Sequence, residues 1–318
     1  MRTVSLGLTG VQVSALCLGT MHLGSRDSAD LSHRTLDQYV EAGGTFIDSA
    51  NTYSFWIPGC RGGESELLLG KWMRDRGNRD RLFIATKVGF PYPGSEGGLR
   101  ADVIRSECEK SLRRLRTDVI DLYYAHVDDR NARIEDTMEM FDKLIKQGKV
   151  RFVGASNFVS WRLEEARWVC RVNGWAGYCC LQQRHSYVRP NPGRRFDPQV
   201  VVTDEMLDYC RNRGMSLVAY SALLGGAYTR RDRVFPEQYL GPDTDGRLAV
   251  LNRVATELGA TACQVVLAWM LHSQPAVIPI VAAGSVAQMT DNLGALEVML
   301  TPLQSEMLTS ALSGGKAW

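Results

Sequence analysis

One regularity constrains this chain more than any other: from about residue 32 onward, short apolar and β-branched runs alternate with longer amphipathic stretches. The candidate strands are Ser14–Leu18, Thr45–Asp48, Leu82–Lys87, Val119–Tyr124, Val150–Gly154, Tyr178–Gln182, Ser216–Tyr220 and Ala276–Ile280. Parallel neighbours need a long crossover, usually a helix, so this alternation reads as repeated βα units around a parallel sheet. With no low-complexity linker and no shift in composition, closure is favoured over an open two-domain sheet. The expected fold class is α/β, a (β/α)8 TIM barrel, with residues 1–318 forming a single domain.

Local signals agree with this plan. In Val103–Leu115 and Ile134–Lys146 the apolar residues recur three and four apart, so Leu112, Leu115, Met138, Phe141 and Leu144 are expected to face the barrel wall. Thr301-Pro302-Leu303-Gln304 and Ser285-Val286-Ala287-Gln288 both have capping-box spacing at a helix start. Ahead of the first barrel strand, VSLG and VQVS flank Leu8-Thr9-Gly10, which predicts an N-terminal β-hairpin plugging the N-terminal mouth. Ala222–Gly246, rich in Gly, Arg and Asp, reads as one long irregular loop.

Composition narrows the function. A hydrophobic fraction of 45% is ample for a large core, and the charges nearly cancel to a net +2, so no global field argues for nucleic acid or membrane as a partner. The pairs Arg113/Arg114, Arg194/Arg195 and Arg230/Arg231 are separate and read as solvated surface. MRTVSLGLTGVQVSALCLGT lacks a continuous apolar stretch, which makes a cytoplasmic location the expectation. The eight cysteines show no C-x-x-C spacing and read as reduced core thiols; the five histidines lack metal-type pairing, so no metal is expected.

The polar residues fall where they matter in a barrel. TFID ends on Asp48, LFIATK on Lys87 and VIDLYYAH on His126, and Tyr53 follows Asp48 by one short loop. Strand C-termini of a closed parallel barrel share one rim, the face that carries active sites. Singly, each has a structural reading: Asp48 as a turn cap, Lys87 solvated, Tyr53 packed, His126 a satisfied core histidine. Together they form a proton-transfer set. An ammonium beside a phenol favours the anion and lowers its pKa, Asp48 is the counter-ion that Lys87 needs if buried, and His126 can donate to a substrate oxygen. None is suited to nucleophilic attack, which points to an external redox cofactor.

GGTFIDSANTY (Gly43–Tyr53), ATK (Ala85–Lys87), DLYYAH (Asp121–His126) and GASNF (Gly154–Phe158) resemble the motifs of the aldo-keto reductase family, in the family's order. GESELLLGKW, LQQRHSY, AYSAL and QMTDNLGAL extend the resemblance over nearly the whole chain. It implies that Asp48, Tyr53, Lys87 and His126 are a catalytic tetrad and that NADP(H) or NAD(H) is the cofactor. By the same resemblance Ser156, Asn157 and Gln182 hold the nicotinamide carboxamide and Tyr220 stacks on its ring. Ser221, Leu223 and Gly225 approach the pyrophosphate, the Arg-bearing loop beyond closes over it, and Ser285, Gln288 and Asn292 serve the adenosine end.

Two departures from the family pattern stand out. Val281-Ala282-Ala283-Gly284-Ser285 offers no basic residue for a 2′-phosphate, and Gln288 stands where Arg is common, so NAD(H) stays open; Arg230, Arg231 or Arg233 are candidates to compensate. After Tyr53, Ser54–Arg61 lengthens a usually short turn, and Phe55 and Trp56, with His22 and Phe90, are the expected substrate pocket. The end of the sequence at Trp318 implies the absence of a long C-terminal lid and a relatively open pocket. The leading reading is a carbonyl or alcohol oxidoreductase of small molecules. The alternatives are a dedicated sugar or cyclitol dehydrogenase, and a nucleotide-binding regulatory subunit resembling channel-associated β-subunits. Oligomeric state is not encoded.

Overall fold

The computed structural model describes residues 1–311, so the expectation attached to Trp318 lies outside the described residues. Strands β1 (Thr3–Ser5) and β2 (Gln12–Ser14) pair antiparallel as the expected hairpin. Eight parallel strands then close into a barrel: β3 (Cys17–Gly19), β4 (Phe46–Asp48), β5 (Phe83–Val88), β6 (Ile120–Ala125), β7 (Val150–Ser156), β8 (Tyr178–Arg184), β9 (Ser216–Tyr220) and β10 (Val277–Val281). Because β10 pairs with both β9 and β3, the barrel leaves no open edge.

The wall is made by α1 (Ala29–Glu41), α2 (Glu64–Arg76), α3 (Ala101–Leu115), α4 (Ile134–Lys146), α5 (Ser160–Asn173) and α6 (Asp204–Arg213), one after each of β3 to β8. Both α7 (Pro242–Leu258) and α8 (Ala262–His272) follow β9, and α9 (Val286–Gly294) and α10 (Pro302–Ser310) follow β10. On α3 and α4 the residues Leu112, Leu115, Met138, Phe141 and Leu144 are buried, as their spacing requires. No single described helix is long and apolar enough to cross a membrane; α8 is apolar on most faces because it is buried against β10, α7 and α9.

Four expectations need correction. Ser14–Leu18 is not one strand: Ser14 pairs with Thr3, and the chain turns before β3 because Ser14 Oγ donates to the Leu16 carbonyl and accepts from the Thr45 and Phe46 amides. Ala222–Gly246 is not wholly irregular, since Pro242 opens α7 at its first turn behind Gly241, with Asp243 and Asp245 favouring the helix N-terminus. Ser285 caps α9, but the Gln288 side chain accepts from the Gly284 amide, one residue too far back for a capping box; the reciprocal box does form at Thr301 and Gln304. Arg114 is not solvated: it lies between α2 and α3 with Nε 2.5 Å from Glu66 Oε2.

The interior is layered along the strands, because side chains two residues apart point the same way. The lower layer, nearest the hairpin, is apolar and packs Phe46, Phe83 and Leu122 against Leu6 and Val13, which plug the mouth. Going up, the inward file on β5 reads Phe83, Ala85, Lys87; on β6 it reads Leu122, Tyr124 and then His126; on β8 it reads Cys180, Gln182, Arg184. Gly154 of β7 is required by this packing, since a Cβ there would sit 2.6 Å from the Tyr124 ring. Six of the eight cysteines are buried and all are free thiols, and no His, Cys, Asp and Glu cluster suited to a metal occurs among the described residues.

Candidate active site

The upper layer gathers the ionisable residues. Asp48 ends β4 and Lys87 lies near the end of β5, both 0% exposed, and the ammonium is bonded to Asp48 Oδ1, to the Ser49 carbonyl at 2.7 Å and to the Tyr53 hydroxyl at 2.9 Å. Gln182 Nε2 donates to the other Asp48 oxygen at 2.9 Å, so the carboxylate is satisfied from two strands. Tyr53 is delivered by a turn in which Ser49 and Asn51 donate their amides to the top of β5. Ser54, held at φ 80, then reverses the chain, with its hydroxyl on the Met21 carbonyl and Ser25 Oγ.

His126 follows β6 and anchors its amide on the Val88 carbonyl at 2.7 Å. Its ring lies edge-to-face between Phe90, 4.6 Å away, and Tyr53, 6.1 Å away, and its Nδ1 is buried with no partner among the described residues. The structure therefore brings Asp48, Tyr53, Lys87 and His126 to one place.

Their ionisation differs in one respect from the simple expectation. Burial pushes the Tyr53 phenol up to about 12, outweighing the downward pull of Lys87, with Asp48 adding to the rise. The phenol thus keeps its proton at neutral pH. Burial would lower Lys87, but Asp48 and Tyr53 outweigh it and the group is held above its ordinary value, as an ammonium. Burial, aided by Lys87, takes His126 well below the ordinary imidazole value, so it is neutral. A neutral imidazole has one N–H to donate without adding a second positive charge beside Lys87.

Further around the rim, β7 and β9 end on the neutral residues Ser156 and Tyr220, and β8 ends on Arg184. Asn157, in the left-handed region at φ 60, ties the ends of β6, β7 and β9 to the loop after β8: Nδ2 donates to the His126 carbonyl and to Ser156 Oγ, while Oδ1 accepts from the Val200 amide and from the Tyr220 hydroxyl at 2.7 Å. Ser221 lies beside Tyr220, and Leu223 and Gly225 follow in a turn with Gly225 open to solvent. Ser285, Gln288 and Asn292 gather separately above β10, where Asn292 donates to the Ala282 carbonyl. No basic residue occurs from Val281 to Asn292. Arg230 is already paired with Asp232, and Arg233 lies near the same carboxylate.

On the substrate side Trp56 packs edge-to-face on Phe55 and on Tyr53, and both loop residues are exposed. His22 is half-buried on the loop that Ser54 grips, and burial lowers its pKa. Phe90 completes the aromatic wall through its contact with His126.

Several positioning residues escaped the sequence reading. Gln183, fully buried, accepts from the Asn157 amide at 2.6 Å and donates to the Phe158 carbonyl, fixing the left-handed turn. Glu107 on α3 accepts from Asn51 Nδ2 at 2.7 Å and from the Tyr92 hydroxyl, bracing the turn that carries Tyr53. The available signal was alternation: with Gln182 inside the barrel, Gln183 must be a polar group buried outside it, and such groups need partners.

Known proteins match this chain over most of its length. The Aldo/keto reductase family model matches residues 15–313. Norsolorinic acid reductase stcV of Emericella nidulans is 35% identical over 316 residues, covering 92% of this chain and 77% of that protein. An aryl-alcohol dehydrogenase of Pestalotiopsis microspora is 29% identical, covering 92% of this chain and 77% of its own length. The crystal structure of a thermostable aldo-keto reductase in complex with the inhibitor epalrestat superposes with a TM-score of 0.77 at 30% identity, covering 98% of this chain and 99% of the other. With the family model spanning nearly all of the described barrel, this chain is an oxidoreductase that belongs to the aldo/keto reductase family.

Proposed function

We propose that this protein is a nicotinamide-dependent carbonyl reductase acting on aryl aldehydes and ketones, with Tyr53 as the proton donor. The observation that carries the reading is the single ammonium, Lys87, bonded at once to Asp48 and to a phenol that stays protonated beside a neutral imidazole. When bound, a nicotinamide dinucleotide supplies the hydride that none of these side chains can supply. His126 donates a hydrogen bond to the carbonyl oxygen and orients it toward the Tyr53 hydroxyl. Tyr53 gives its proton to that oxygen as charge develops there, and Lys87, kept cationic by Asp48, stabilises the resulting phenolate.

The residues left uncommitted suit the cofactor. A carboxamide needs one donor and one acceptor, and the Ser156 hydroxyl and the Gln182 side-chain oxygen are free for those roles, since Gln182 spends its amide nitrogen on Asp48. Asn157 is engaged with Tyr220 and serves to hold that ring at the rim. The adenosine end falls to Ser285, Gln288 and Asn292, whose neutrality leaves little discrimination between NAD(H) and NADP(H).

Phe55, Trp56 and Phe90 give the substrate side a wall suited to planar aromatic rings, in keeping with a relative named as an aryl-alcohol dehydrogenase. The test is initial-rate reduction of benzaldehydes, aryl methyl ketones and aldoses with each reduced dinucleotide. Aryl carbonyls are expected to show the highest kcat/KM. Faster turnover of aldoses contradicts the substrate class, and no turnover with any carbonyl contradicts the reading as a whole.

A further inference from the structure

Arg184 is the last residue of β8 and pairs in register with Tyr220 of β9. Gln182, two residues earlier, reaches inside the barrel to Asp48, so alternation puts Arg184 in the same inward file one layer nearer the C-terminal rim. Its guanidinium is tightly held: Nε donates to the Tyr239 hydroxyl at 3.0 Å, Nη1 donates to Gln199 Oε1 at 2.7 Å and to Ser221 Oγ at 3.3 Å, and the plane lies 4.3 Å from the Phe196 centroid.

Every one of those partners is neutral. Among the described residues no carboxylate pairs with Arg184, whereas Arg114, Arg162 and Arg230 are each matched to Glu66, Asp128 and Asp232. A half-buried cation fixed in place without a counter-ion is costly unless an anion arrives from outside the chain. The position says which anion. Arg184 touches Ser221 (φ 57), where the chain turns through Leu224 (φ 47), Gly225 (φ 70) and Gly226 (φ 90), so its guanidinium stands beside the solvent-open Gly225 turn on the rim between β9 and α7. The adenosine-side cluster at Ser285–Asn292 follows β10, which β9 separates from β8, so a 2′-phosphate there lies two strands away around the rim.

We infer that Arg184 binds the pyrophosphate of the dinucleotide, supplying a counter-charge common to NAD(H) and NADP(H); the inference rests on the cofactor reading above. Arg184 meets the phosphates while Tyr239, Gln199 and Phe196 pre-set its orientation, so little side-chain freedom is lost on binding.

The test is a fluorescence titration of the wild type, Arg184→Met, Arg184→Lys and Tyr239→Phe with NADH, NADPH and ADP-ribose at several salt concentrations. Arg184→Met is expected to raise Kd by about 10–100-fold, by the same factor for all three ligands. Its salt dependence should be shallower than that of the wild type. Arg184→Lys should recover part of the loss, and Tyr239→Phe, which removes one of several contacts that orient Arg184, should weaken binding by no more than a few-fold. An unchanged Kd in Arg184→Met overturns the inference, as does a loss confined to NADPH. A Tyr239→Phe variant as weak as Arg184→Met also overturns it, because Arg184 would then act only by bracing the loops. If the wild type itself binds neither dinucleotide, the cofactor reading fails as well; if it binds them and Arg184→Met equals it, only the role of Arg184 fails.

Discussion

The two ends of the barrel interior are built on the same strands, yet burial does opposite work in them. At the lower end Phe46, Phe83 and Leu122 meet the hairpin residues Leu6 and Val13, and exclusion of water there contributes only stability. At the upper end, two or four residues further along the same files, Asp48 and Lys87 are equally enclosed and His126 is half-buried, and exclusion of water sets which group carries a proton. One layer is tolerant of chemistry and intolerant of voids; the other is the reverse. Substitutions should therefore separate stability from activity according to height in the barrel.

The largest effect is expected where both properties meet. Lys87→Met leaves the Asp48 carboxylate buried without a counter-ion, its partners reduced to Gln182 and the Tyr53 hydroxyl at 3.5 Å, so it should lose about 3–5 kcal/mol of stability. Turnover should fall as well, by about 100-fold or more, through loss of the cation that stabilises the phenolate. Denaturant melts with rate assays on the folded fraction check both, and a variant keeping either property would break the comparison. Phe83→Ala probes the opposite end: it should cost about 3–5 kcal/mol through the cavity it leaves, with KM and kcat of the folded protein unchanged.

The pH dependence follows from the ionisation of the upper layer. Reduction uses the protonated phenol, which keeps its proton until pH approaches about 12, and a His126 imidazole that is neutral through the physiological range. The rate of reduction should be flat from weakly acidic to mildly alkaline pH. Alcohol oxidation, which needs the phenolate, should rise with pH by about tenfold per unit where proton transfer limits the rate. A falling limb for reduction near neutrality would show that Lys87, not burial, dominates Tyr53.

Smaller effects belong to the rim. Trp56→Ala removes an edge-to-face partner of Tyr53 and should raise KM for aryl carbonyls by about fivefold, a loss of about 1 kcal/mol, with little change for small aliphatic aldehydes. Gln288→Arg supplies the missing cation above β10 and should shift cofactor preference toward NADPH by several-fold, read as the ratio of the two kcat/KM values.

Much of this organisation is legible in the residues. The eight alternating runs predict the barrel because each is a buried strand bounded by turn residues, and Asp48, Lys87 and His126 stand out as ionisable groups ending such runs. What the residues hide is set by tertiary contacts. The break after Ser14 depends on a hydroxyl that meets Leu16, Thr45 and Phe46 only once the barrel has closed. The start of α7 was masked by Gly246 and by the charged composition around Pro242, although proline in a first turn with acidic neighbours is a helix signal. Gln183 and Glu107 have no motif of their own; they are visible only through the turns they hold. The upward shift of Tyr53 was also out of reach, because it is a balance between burial and a cation whose relative weights depend on the enclosure.

The central claim is that the Tyr53 hydroxyl moves the proton and does little else, since Lys87 keeps Asp48 and the Ser49 carbonyl as partners without it. The most direct measurement is the single-turnover rate of aryl ketone reduction by Tyr53→Phe, taken alongside its dinucleotide affinity. The account predicts a rate lower by about 100- to 10,000-fold with cofactor affinity close to wild type. A Tyr53→Phe enzyme reducing the ketone at nearly the wild-type rate, with the cofactor bound as before, would contradict it.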